Sequence, residues 1–149
     1  MAITSKQKIN GGDIQNFASG AFIDTGTVKK SVFRLGFVPK YVKLVNATDR
    51  TIYEWFDGMA ADSAIKAVAA GTLTLDTSNG ITVGAIACLA SAPVTIYENE
   101  VSTVGVPGTD PVAKTDNSRV NTVNETVVGF SIPAAVAVTN KQFYYIAHD

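Results

Sequence analysis

The chain has 149 residues, 46% of them hydrophobic and 17% charged, with 12 basic and 13 acidic side chains and a formal net charge of −1. That length suits one domain with a buried core, and that balance excludes a disordered chain and any basic field that would attract a phosphate backbone, so no nucleic-acid partner is expected. The charged share falls below the usual quarter, which leaves surface for partners and points to an assembly subunit.

No stretch approaches the ~18 consecutive apolar residues of a membrane-crossing helix, so no membrane partner is expected. Met1 to Asn10 carries lysines without an apolar run behind them, which is not a signal peptide and implies synthesis in a cytoplasm. Cys88 is the only cysteine, so an intrachain disulfide is excluded and a reducing compartment fits.

Residues 1–27 are polar and interrupted by Gly11, Gly12, Gly20 and Gly26. Their apolar residues come singly, and no helical or strand period is sustained. The stretch reads as an extended N-terminal arm, either frayed or docked on a neighbour. Ile9, Ile14, Phe17 and Phe22 are its candidate intersubunit contacts. The remainder, 28–149, reads as a single β domain.

Ser31 to Leu35 alternates, with Phe33 and Leu35 on one face, and predicts a strand. Gly36 then leads into a hairpin. Its strands run through Val42 and Leu44 and, after the turn Asn46-Ala47-Thr48-Asp49, through Ile52 to the sole tryptophan, Trp55. Asn and Asp suit that turn because they bond their own backbone and tolerate left-handed dihedrals. Pro39 cannot donate to a ladder and belongs at a strand start or an edge. Phe37, Tyr53, Trp55 and Phe56 are the candidate core or contact aromatics.

The alanine-rich run 60–70 closes at Gly71 and predicts a short helix or helical turn, since Ala favours helix and Gly suits its C-terminal cap. A loop packed on a neighbour is the competing reading. Thr72 to Leu75 alternates, Asp76-Thr77-Ser78-Asn79-Gly80 signals a turn, and Ile81 to Val83 alternates again. Ala85 to Leu89 suits a buried strand and Pro93 to Tyr97 another. Residues 98–125 hold Gly105, Pro107, Gly108 and Pro111 and predict a long surface loop. Thr126 to Ile132 is a strand stopped by Pro133. Asn140-Lys141 turns into the last strand, Gln142 to Ala147, whose apolar residues on both faces place it centrally or against another subunit. Seven or eight short strands with at most one short helix predict an all-β fold, an antiparallel β-sandwich or jelly-roll-like barrel.

The chemistry available is sparse. His148 is the only histidine, next to the C-terminus, and reads as solvated. Cys88 lies in an apolar run and reads as a core thiol, because burial raises a thiol's pKa and lowers its reactivity. One Cys and one His cannot build a zinc site. Asp76-Thr77-Ser78-Asn79-Gly80 could offer a carboxylate and carbonyls to calcium, but it lacks the loop length and terminal Glu of an EF-hand and reads as a plain turn. Glu54 and Asp57 flank Trp55 and Phe56, but a solvated edge or a link to Arg34 or Arg50 explains them more simply than acid–base work. No catalytic, cofactor-binding or metal residue is assigned, and no enzyme activity is expected.

The segment Gly36-Phe37-Val38-Pro39-Lys40-Tyr41-Val42-Lys43-Leu44-Val45-Asn46, followed by Tyr53-Glu54-Trp55-Phe56-Asp57-Gly58-Met59, resembles small virion structural proteins of tailed bacteriophages. Val128 to Ile132 and Phe143 to Ala147 resemble them too. The resemblance covers roughly a third of the chain and is to proteins of the capsid decoration (cement) type. It implies a partner in the major capsid protein or another shell or tail protein, a homotrimer, and a place on the capsid surface. The alternative is a tail, neck or fibre component with a carbohydrate-binding module, in which Tyr53, Trp55 and Phe56 form a sugar-stacking platform. An exposed Trp55 favours that alternative, and a buried Trp55 favours the structural role.

Overall fold

The computed structural model describes residues 16–24, 29–98 and 118–149. Among these residues there are ten strands and no helix. They are β1 (Phe17–Ile23), β2 (Ser31–Arg34), β3 (Tyr41–Asn46), β4 (Thr51–Phe56), β5 (Ser63–Ala67), β6 (Leu73–Cys88), β7 (Thr95–Tyr97), β8 (Ser118–Val120), β9 (Glu125–Ile132) and β10 (Gln142–His148). All ten join one mixed sheet in the order β1-β10-β3-β4-β5-β6-β9-β2-β7-β8. Only the β2–β7 ladder is parallel. The sheet curls into a half-barrel, within the sandwich and barrel class predicted from the strand pattern.

The corner of the curl lies in β6. Its first part pairs with β5, and its last part, from Thr82, pairs with β9. Between them the register jumps from Ala64↔Asp76 to Ser63↔Ile81, so residues 77–80 have no partner on β5. The turn signal at Asp76–Gly80 therefore makes a bulge inside one long strand. Asp76 Oδ1 accepts the N–H groups of Ser78 at 2.9 Å and Asn79 at 2.8 Å, which folds the extra residues back on themselves. Gly80 is required by contact, because a Cβ there would stand 2.2 Å from the Ser63 carbonyl carbon. Bulges and bends of this kind let a strand cross from one layer to the next.

The core fills the inside of the curl. Phe22 of β1 stacks on Phe143 of β10 at 4.9 Å and meets Phe33 of β2 at 5.0 Å. Phe33 in turn stacks on Phe130 of β9 at 4.5 Å and on Tyr97 of β7 at 4.8 Å. Strands from opposite ends of the sheet order thus meet through one aromatic seam. Val42, Leu44, Tyr53, Trp55 and Ile81 belong to the same cluster. Val32, Ile86, Cys88, Val94, Ile96 and Val127 form a second one.

Three sequence expectations change here. The run 60–70 holds strand β5 and not a helix. A helix that short is marginal in isolation, and here the segment pairs with β4 on one side and β6 on the other. The small Ala64 instead fills a fully buried site. The stretch 17–23 is an edge strand paired along its whole length with β10, and Phe22, read as an intersubunit contact, lies in the core. Its glycine and serine masked the strand period, since Gly20 pairs with Tyr145 and leaves room for that ring. Within 98–125 the described residues include β8 and the start of β9, so the C-terminal end of that stretch is sheet. Ile9, Ile14 and residues 99–117 lie outside the described residues.

Candidate interaction surface

The outward face of the sheet from β1 to β6 can be read off the ladder register, because directly opposed residues share a face. One row runs Ser19, Ile146, Lys43, Glu54, Ile65, Leu75. The next runs Ala21, Tyr144, Val45, Ile52, Ala67, Leu73. A third, shorter row is Phe17, His148, Tyr41, Phe56, four rings on four adjacent strands. Leu73 is 68% exposed, Leu75 64%, Phe17 60% and Tyr144 50%. Ile23, Phe56 and Ile146 are exposed beside them. At ~150–250 Å² for a side chain of aromatic size, these seven expose on the order of 700 Å². Summed over residues on several strands, that is comparable to the ~300–600 Å² of the largest apolar patch on a typical monomer.

Charge on this face is sparse and balanced. Lys43 and Glu54 stand opposite each other on β3 and β4 at its centre. Tyr41 Oη donates to Glu54 Oε2 at 2.8 Å. Partial burial, with the neighbouring carboxylate second, pushes the Tyr41 hydroxyl up to about 12. Its ring lies 5.3 Å from Phe56 and 5.2 Å from His148. At the rims, Lys40 pairs with Asp57 at 3.6 Å and Lys141 with Asp49 at 3.0 Å. Glu54 and Asp57 therefore link to Tyr41 and Lys40, and not to Arg34 or Arg50. His148 belongs to a strand and an aromatic row, not to a solvated tail.

The candidate aromatics divide between faces. Tyr53 and Trp55 are buried in the core, while Phe56 is exposed on the outward face. They share no surface and form no sugar-stacking platform. Phe37 is half-buried and, with Phe17, Leu35 and Tyr145, lines a groove of about 450 Å³ beside the start of β1.

One group of side chains has no signal in the sequence. Arg34, Glu98, Arg119 and Glu125 converge from β2, β8, β9 and the residue after β7. Arg34 reaches Glu98 at 3.2 Å and Glu125 at 3.0 Å, and Arg119 reaches Glu98 at 2.7 Å and also pairs with Glu125. Arg119 holds both carboxyls below their usual range. Two positive and two negative groups satisfy one another, so the cluster ties β8 to its neighbours and leaves no charge for a ligand. The β2–β9, β2–β7 and β7–β8 ladders together bring these residues, far apart in sequence, to one place.

Cys88 is fully buried and free, and burial pushes its thiol up. Among the described residues no three His, Cys, Asp or Glu side chains gather into a metal-holding group. The arrangement offers a near-neutral apolar face on the outside of the curl, suited to another protein surface. Compared with protein-family models, curated proteins and solved structures, the chain matches none.

Proposed function

We infer that this chain is a non-enzymatic structural protein of a tailed-bacteriophage particle that lays the outward face of β1–β6 on the capsid shell and stabilises it. The single observation that carries the reading is that face, broad and apolar across six strands. The resemblance in 36–46 and 53–59, and at 128–132 and 143–147, supplies the particle and the decoration role. The resemblance implies a homotrimer; the reading of the face itself rests on no copy number and holds for a trimer or a dimer.

The test is binding of the purified protein to particles or empty shells that lack it. Leu73→Glu with Leu75→Glu places two charges on exposed positions of the face. Surface changes of this kind alter stability within about 0.5 kcal/mol. The expected outcome is a parent-like melting curve with lost shell binding. Undiminished binding by the double variant contradicts the reading.

A further inference from the structure

The β1 edge carries an unguarded row of backbone groups. The strand is seven residues, Phe-Ala-Ser-Gly-Ala-Phe-Ile, with neither charge nor proline. Among the described residues it stands at one end of the strand order, with β10 as its only partner strand. The Asp149 N–H donates to the Asn16 carbonyl at 3.2 Å, and this sets the phase of the ladder. Bonded and non-bonded pairs alternate in an antiparallel ladder. Ala18, Gly20 and Phe22 therefore bond toward β10, and Phe17, Ser19, Ala21 and Ile23 turn N–H and C=O away from it. Among the described residues those outward groups meet no partner. The opposite edge is different: β8 is three residues long and carries Arg119 in a closed charge network. Sheets usually blunt an exposed edge by shortness, charge or proline. β1 has none of these.

We propose that β1 pairs antiparallel with β1 of a second copy about a twofold axis at Gly20. This register sets Phe17 opposite the partner's Ile23 and Ser19 opposite the partner's Ala21, and the reverse. All four outward residues then find partners, with up to about eight backbone hydrogen bonds. A slip of two residues would leave Phe17 beyond the end of the partner strand. Phe17 and Ile23, both largely exposed in the single chain, become a cross-strand apolar pair on each side of the axis. On the inner face Ala18 meets the partner's Phe22, small against large. The two glycines meet at the axis, and in each chain the Tyr145 ring already fills the space over Gly20. No charged residue is opposed to another within the strand. The pairing joins two outward faces into one sheet, and an isologous contact of this kind closes at two copies. It does not depend on any role at a particle.

Sedimentation equilibrium of the full chain tests it. The parent is expected to be a dimer. Ala21→Pro removes an outward N–H and leaves the β10 ladder intact, so the dimer dissociation constant should rise at least ~10-fold while the far-ultraviolet spectrum is unchanged. A second measurement reads the register and stands even if the proline variant fails to fold. Ser19→Cys mixed with Ala21→Cys should give a disulfide-linked pair on mild oxidation, since opposed residues lie about 5.5 Å apart at Cα. Either variant alone should stay unlinked, because Ser19 and its own symmetry mate are too far apart to bridge. A monomer at every concentration, a trimer, or a cysteine mixture that stays unlinked overturns the proposal.

Discussion

Gly20 and Tyr145 show how one position carries both packing and surface. A Cβ at Gly20 would stand 2.6 Å from Tyr145 Cε1, so the ring lies where any other side chain would be. Gly20→Ala should destabilise by about 1–3 kcal/mol through overpacking. Combined with Tyr145→Leu, which clears the space, the two changes should cost less than their sum in a thermal-melt double-mutant cycle. Additive costs would mean that the contact is not what holds the glycine. The division of Tyr53 and Trp55 from Phe56 was legible beforehand, because a period of two places residues 53 and 55 on one face and 56 on the other. Grouping all three as one aromatic set ignored that parity. Nothing local to His148 signals its place, because its ring partner Tyr41 lies more than a hundred residues away in the chain.

At the scale of elements, the hairpin β3–β4 was the most legible part. Its alternation, its turn residues and its tryptophan all agree, and Asn46 Oδ1 accepts the Asp49 N–H at 3.0 Å in that turn. In β5 the alanine propensity for helix, a few tenths of a kcal/mol per residue, is overridden by pairing with both β4 and β6. β8 could not be read at all. It is three residues long, and its hold on the sheet includes the charge network of Arg119. That hold has a pH signature. Glu98 and Glu125 have folded-state pKa values depressed by Arg119, below the ordinary 4.5. Their contribution is therefore present above that value and lost as pH falls through the lower folded one. Hydrogen exchange at 118–120, corrected for intrinsic rates, should keep its protection from neutral pH down to the ordinary carboxylate value and lose it only as pH falls further, through the depressed folded values. Arg119→Gln should lose it already at neutral pH. Unchanged protection in that variant would show that the backbone pairing with β7 suffices.

At the scale of the whole molecule, composition and turn spacing were enough for an all-β class but not for the strand order. Sequence neighbours share a ladder in β3–β4, β4–β5, β5–β6 and β7–β8. The long-range pairs β1–β10, β10–β3, β6–β9 and β2–β9 close the curl. Those pairings follow from which faces can be buried together, and no local pattern states that. The same limit hid the outward face. Val45, Ile52, Ile65 and Leu75 look like ordinary strand residues until the register lines them up on one side. Buried Trp55 is the outcome that favours a structural role over a sugar-binding one, and the apolar face gives that role a surface.

Hydroxyl-radical footprinting of the free and the particle-bound protein tests this account most directly. It reads side-chain solvent access at Phe17, Tyr144, Leu73 and Leu75, all exposed in the single chain. On the shell, the account expects all four to lose most of their oxidation, while exposed Val123, outside the face, keeps its own. Equal oxidation of the four in both states would mean that the face meets water on the particle too, and the central claim would be wrong.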